Sequence, residues 1–366
     1  MSFETSRIFV IGATGAQGMS VVRGLVGDGK YPVLALTRDA TSGRARQLQG
    51  LPNVSILEGS FADEDVIRKG FRACDGAFVN IDGFNTGEKT ETFLAMRIFE
   101  IAVEEGVRFF VFGNLDYVLK KSGYDSRFRT GHYDGKGRVA EWILSQNNAN
   151  ADRMGAAIFT TGPYMEMAFS PFTPMTPRIE EGVVTWRVPL GHGAVVHVSL
   201  EDCAYYVRWL FDNTERSVGM DLEVAIEHVR YDELAAAFAR VTGHPARYID
   251  TGVHQYFGGP LKNAADRPAG YNADPADRST MSFRDNFTGF WNMWKHDIIK
   301  RDYQLLDDIH PNRLKSAEQW IRRHEDLARL NGSPSLWDKL QPEALQKSFS
   351  VLKSSEDRQR GNVGGL

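Results

Sequence analysis

Cysteine is nearly absent: Cys74 and Cys203 are the only two in 366 residues. They form no CxxC pair, so neither a disulfide framework nor a zinc site is expected, and both read as buried free thiols. Long apolar runs are missing too. None approaches the ~18 residues of a membrane span, and the opening "MSFETSRIFV" has no charged leader ahead of an apolar stretch. These absences point to a soluble chain in a reducing compartment, cytoplasmic or nuclear, with no membrane contact. An excess of positive charge is also lacking, with 43 Lys and Arg against 47 Asp and Glu. A net charge of −4 offers no general field for phosphate backbones and argues against direct nucleic-acid binding. No GxSxG and no internal repeat is present. His192 and His197, five apart on a predicted strand, face opposite sides and offer no metal pair.

What is present is 42% hydrophobic residues, enough for one large or two modest domains. Through residue 160, short apolar runs alternate with amphipathic stretches, the pattern of βα units building a parallel sheet. Strands are predicted at 7–11, 33–37, 54–57, 76–81, 107–112 and 155–160. The fold class expected is α/β, a Rossmann-type doubly wound parallel sheet with a smaller α/β cap. The dinucleotide-binding body is assigned to 1–160, with room for later segments to return to the sheet, and the cap to 161–330. The cap opens on a proline-rich loop, with four of the 14 prolines between 163 and 177. It continues with a hairpin at 183–190 and helices near 199, 231 and 284–326. The aromatic group Phe287, Phe290, Trp291 and Trp294 has helical spacing and reads as cap core. Residues 331–366 are expected to be a partly ordered tail.

The stretch "FVIGATGAQGMSVV" places Gly12, Gly15 and Gly18 straight after the first strand and at the start of a helix. Gly12 allows the tight turn, Gly15 lets backbone approach a pyrophosphate, and Gly18 permits close helix packing, while helix N-terminal amides face the anion. Gly12, Thr14, Gly15, Ala16, Gln17 and Gly18 are therefore candidate cofactor-binding residues, joined by Asn80 at the end of the fourth strand. The second strand ends in "ALTRD". An acidic residue there would suit the ribose of NAD, whereas Arg38 can pair with the 2′-phosphate of NADP(H); Asp39 behind it leaves NAD binding open.

The GATGAQG loop, the arginine after strand two and "GHYDGKGRVAEWI" at 131–143 together resemble the NmrA-like family of atypical short-chain dehydrogenases, over nearly the whole chain to about residue 326. The resemblance implies a Rossmann body with NADP(H) in its cleft. It also implies that Lys136 holds the nicotinamide ribose and that Gly162, Pro163 and Tyr164 form a loop over the cofactor. Typical short-chain dehydrogenases carry a tyrosine four residues before that lysine. Here His132 is four before and Tyr133 three before, and both lie beside Lys136 on a helix, so either could donate a proton. Gly131, Gly135 and Gly137 weaken the helix here and would loosen the geometry that general acid catalysis needs. Asn114 stands where a catalytic serine is usual and can orient a carbonyl or ribose but not titrate. The catalytic candidates are Tyr133, His132, Lys136 and Asn114. Two functions compete: reduction of a small or medium carbonyl, imine or activated alkene, or a catalytically silent NADPH sensor that binds a regulatory protein partner.

Overall fold

The computed structural model describes residues 3, 5–259, 261–270, 273, 279–347 and 350–352. The six expected strands are β1 (Ile8–Ile11), β2 (Val33–Thr37), β3 (Val54–Glu58), β4 (Gly76–Val79), β5 (Phe109–Leu115) and β6 (Gly155–Thr161). Every residue of β1, β2, β4 and β6 is buried, as in a parallel sheet covered on both faces. Between them run α1 (Ala16–Val26), α2 (Gly43–Gln49), α3 (Glu64–Arg72), α4 (Gly83–Thr86), α5 (Glu88–Glu104), α6 (Val118–Lys121) and α7 (Gly131–Gln146). The later elements include β7 (Arg178–Glu180), β8 (Val183–Val188), β9 (Val195–His197), α8 (Leu200–Asp212), β10 (Asp221–Glu223), β11 (Glu227–Val229) and β12 (Ala246–Asp250).

The central sheet has seven strands in the order β3-β2-β1-β4-β5-β6-β10, and every pairing is parallel. The order reverses between β1 and β4, which opens a crevice at the carboxyl ends of those strands. On one face, Val21, Val22 and Leu25 of α1 share a core with Tyr206, Val207 and Leu210 of α8. A Cβ on Gly24 would lie 2.6 Å from the Ala204 carbonyl oxygen, so the two helices touch almost backbone to backbone. On the other face Phe71 of α3, Ile98 of α5 and Ile143 of α7 pack together.

The chain therefore does not leave the body for good at residue 161: α8 and β10 return to it. The hairpin expected within 183–190 lies further back. β8 is a single strand, paired antiparallel with β7 and parallel with β12, because Glu181 and Gly182 turn the chain with positive φ. His192 is in a turn rather than a strand, and only His197 lies on β9. The cap core gathers Trp186, Trp291, Trp294 and Trp320, all at most 1% exposed, with Phe287 and Phe290 beside them. Cys74 and Cys203 are free and buried. In the expected tail, Leu336 and Leu340 dock into the cap core. Ser350 is buried, and the Val351 amide donates to Ser170 Oγ at 2.8 Å. Residues 353–366 lie outside the described residues. No described helix is long and apolar enough to cross a membrane.

Candidate active site

The glycine loop is built as its spacing requires. Gly12 has φ +82°, and a Cβ there would fall 2.2 Å from the Asn80 carbonyl oxygen. A Cβ on Gly18 would fall 2.1 Å from the Gly12 oxygen. Both glycines are thus demanded by packing. Gly15 is different: its Cβ would meet only the Gly12 oxygen, at 3.1 Å, leaving open space on its other sides. Gly15 is also the N-cap of α1, with no side chain capping the helix, so the first-turn amides of Ala16, Gln17 and Gly18 lack intrahelical acceptors. A loop with a vacant side at Gly15 and free helix amides fits a pyrophosphate.

Asn80 ties this loop to the far end of the crevice. Its backbone N–H donates to the Ile11 oxygen at 3.1 Å, and its Nδ2 donates to Gln17 Oε1 at 2.7 Å. Its Oδ1 accepts from Lys136 Nζ at 3.2 Å. Gln17 continues the row to Thr161 Oγ1 at 3.5 Å. Lys136 Nζ also donates to the Ile81 oxygen at 2.8 Å and reaches the Gly113 oxygen at 3.4 Å. It forms a 2.8 Å ion pair with Glu91 Oε1, and the two side chains are 8% and 1% exposed. Glu91 had no sequence signal: on "TETFLAMRIFE" it reads as a solvent-facing helix residue.

The glycines of α7 do not interrupt it; the helix is continuous from Gly131 to Gln146. Their lack of side chains serves packing instead. A Cβ on Gly137 would sit 2.4 Å from Tyr117 Cβ, and one on Gly131 2.6 Å from Glu88 Oε2. The helix start is pinned by Asp134, whose carboxylate accepts from the Thr130 and Leu119 amides, each at 2.8 Å, and pairs with Arg129 at 3.0 Å.

His132 and Tyr133 both project from this pinned turn into aromatic surroundings. The His132 ring lies against Phe84, Phe287 and Phe290. Its backbone N–H and its ring Nδ1 both point to Asn286 Oδ1, at 3.2 and 2.9 Å. An oxygen that already accepts the backbone N–H must also accept from the ring, so Nδ1 carries the proton and Nε2 is bare. Burial lowers the imidazole pKa to about 4, against the raising effect of the Asn286 hydrogen bond. His132 is therefore neutral near pH 7 and offers a proton acceptor, not a donor, at Nε2. Tyr133 is 2% exposed and packs on Phe290 and Trp294. Burial lifts its hydroxyl pKa well above the ordinary value; Asp116 adds to this and Arg301 opposes it. Asp116 and Arg301 are themselves a buried bidentate pair at 2.8 and 2.9 Å.

Asn114 turns elsewhere. Its Nδ2 donates to Thr160 Oγ1 at 2.8 Å, and Thr160 Oγ1 donates to Asp221 Oδ1 at 2.5 Å, a chain across β5, β6 and β10. Burial pushes the Asp221 carboxyl up to about 6. Asn114 lines a cavity of about 330 Å³ with Asp116, Lys121, Asp221 and Glu223; its Nδ2 is committed to Thr160, while its buried Oδ1 has no hydrogen-bond partner among the described residues.

Beyond β6, a Cβ on Gly162 would fall 2.2 Å from the Val196 oxygen. The Pro163 oxygen accepts from the Val198 amide at 3.0 Å and from His197 Nδ1 at 3.1 Å, while His197 Nε2 takes the Tyr231 hydroxyl at 3.2 Å. Tyr164 bridges to Val198. This clamp fixes the loop that follows β6.

At the other end, Arg38 follows β2 and is partly exposed. Asp39 Oδ1 is occupied by the Thr41 amide and hydroxyl, at 2.8 and 2.6 Å. Arg44 Nη1 reaches the Thr14 oxygen at 3.3 Å, and its Nη2 reaches the oxygens of Ser350 and Val351, both at 3.4 Å. No group of three or more His, Cys, Asp or Glu residues that could hold a metal exists among the described residues.

The sequence model of the NmrA-like family matches residues 4–262. The NmrA-like family domain-containing oxidoreductase lnaB of Aspergillus flavus is 29% identical over 260 residues, covering 68% of this chain and 76% of that protein. The corresponding hkm9 protein of Aspergillus hancockii is 26% identical over 257 residues, with the same coverage. Among solved structures, NmrA, a negative transcriptional regulator, in complex with NADP aligns with a TM-score of 0.63 at 14% identity, covering 92% of this chain and 100% of that one. The NADPH-dependent quinone oxidoreductase QOR2 of Escherichia coli, complexed with NADPH, aligns at 0.64 and 16% identity, covering 86% and 99%.

Proposed function

Because the chain belongs to the NmrA-like family, we propose that it is an NADP(H)-dependent reductase acting on a small or medium carbonyl, imine or activated alkene. The observation that carries the nucleotide reading is Gly15, a glycine that packing alone does not require, at the open end of an uncapped helix. Arg38 after β2 and Arg44 in the first turn of α2 would supply cationic groups for a 2′-phosphate. When bound, the cofactor supplies a hydride to the substrate. Lys136 would hold the nicotinamide ribose. Gly162, Pro163 and Tyr164 would exclude water from above. Between the two proton-donor candidates, Tyr133 is favoured: burial keeps its hydroxyl protonated, whereas His132 carries its proton on the nitrogen that faces Asn286.

A specific observation favours a second reading, the NADPH sensor with a protein partner. Among the described residues the cation that acts on the Tyr133 hydroxyl is Arg301 rather than Lys136, and Lys136 Nζ already lies among four acceptors. A single-turnover panel of carbonyl, imine and alkene substrates, with NADPH oxidation followed and product identified, separates the two. A reductase turns over, and Tyr133→Phe slows it by ~10²–10⁴-fold with NADPH affinity retained. No turnover with any substrate, together with NADPH-dependent binding of a protein partner, establishes the sensor.

A further inference from the structure

Lys136 and Glu91 form a pair that the nucleotide reading does not by itself require. An ammonium has three N–H donors, and Lys136 Nζ lies within 3.4 Å of four acceptors. The two shortest contacts, at 2.8 Å, go to the Ile81 oxygen and Glu91 Oε1. The remaining donor is shared between Asn80 Oδ1 at 3.2 Å and the Gly113 oxygen at 3.4 Å. Glu91 is correspondingly dependent on the lysine. Its carboxylate is 1% exposed, lies where a Cβ on Gly83 would be 2.2 Å from Oε2, and has no hydrogen-bond partner among the described residues apart from this ion pair. A buried ammonium beside the Phe112 ring, left without a counter-charge, would withdraw toward water.

We propose that Glu91 is the positioning residue for Lys136. It keeps the ammonium seated at the ends of β4 and β5, with the weakly held third N–H left for the ribose of a nicotinamide nucleotide. The proposal rests on the dinucleotide reading above, and two ligands separate their fates. NADPH has a nicotinamide ribose; adenosine 2′,5′-bisphosphate has only the adenine half and the 2′-phosphate. Glu91→Gln keeps the shape of the side chain and removes its charge.

Calorimetric titration of the full chain with each ligand is the test. Glu91→Gln should weaken NADPH binding about tenfold or more, the worth of a charge-assisted contact, and leave adenosine 2′,5′-bisphosphate unchanged. Glu91→Asp should recover part of the loss. In a Lys136→Met background, Glu91→Gln should cost nothing further, and this neutral pair also serves if the single variant fails to fold. Equal losses for both ligands, or an additive loss in the Lys136→Met background, would reduce Glu91 to a structural residue. Should the unaltered chain bind both ligands and Glu91→Gln change neither, only this proposal falls. Should the unaltered chain bind neither, the dinucleotide reading falls and takes the proposal with it.

Discussion

His132 presents both its backbone N–H and its ring Nδ1 to a single atom, Oδ1 of Asn286, 154 residues away in the chain. This convergence fixes the tautomer more firmly than a lone ring contact could. Nitrogen-detected NMR of the labelled imidazole should show one neutral form, protonated at Nδ1, persisting as pH falls from 7 to 5 and titrating only near pH 4. Protonation near pH 6.5 would return His132 to the list of acids.

Gly15 and Gly18 should fail differently. Gly15→Val places its branched side chain in open space, so it should abolish NADPH binding while the thermal transition of the ligand-free protein moves little. Gly18→Ala drives a methyl into the Gly12 carbonyl, 2.1 Å away, and should lower that transition directly. Calorimetry on both variants decides. Intact nucleotide affinity in Gly15→Val would mean that the loop is only a turn.

Arg38→Ala should erase a preference for NADPH over NADH. The charge-assisted phosphate contact is worth about 1.5–3 kcal/mol, so the ratio of the two affinities should fall by roughly tenfold or more while NADH affinity holds. An unchanged ratio would move the assignment to Arg44.

Glu166 makes stability depend on pH with an unusual sign. Burial pushes its carboxyl up to about 7, from an ordinary value of 4.5, although its Oε1 accepts from the Leu200 amide. The folded state therefore holds a proton that the unfolded state lacks between pH 7 and 4.5, so this group adds stability as pH falls through that window, by about 1.4 kcal/mol per unit. His132 and His197, both lowered to about 4, act oppositely: the unfolded state takes up their protons first, and stability is lost below about pH 6.5. Glu166→Gln should be more stable than the parent at pH 8 and lose that advantage by pH 5. Urea unfolding at several pH values would show it; parallel curves for parent and variant would contradict the account.

The legible parts of the structure are those where one residue type admits one environment. β1, β2, β4 and β6 are buried on both faces and so read as unbroken apolar runs. Gly12 and Gly18 announce a turn and a close approach. β10 could not be read, because "DLE" has a single buried residue and owes its place to the open edge of β6. Glu91 and Asn286 were equally silent. Each is a polar residue on an amphipathic helix, and each acquires its role only when a partner far along the chain arrives beside it. The glycines of α7 misled for a related reason: helix propensity disfavours them, but contact with Tyr117 and Glu88 outweighs it.

The return of α8 and β10 to the body bears on how this architecture can be rearranged by gene fusion. The cap is interleaved with the sheet, being made before α8 by β7, β8 and β9 and after β10 by β11, β12 and the segments that carry Trp291, Trp294 and Trp320. A crossover near residue 161 that exchanged everything downstream would separate β6 from its own β10 and α1 from the helix it touches through Gly24. Exchange of substrate pockets between relatives therefore calls for two inserts, one on each side of residues 200–223, with that middle stretch inherited together with the nucleotide loop.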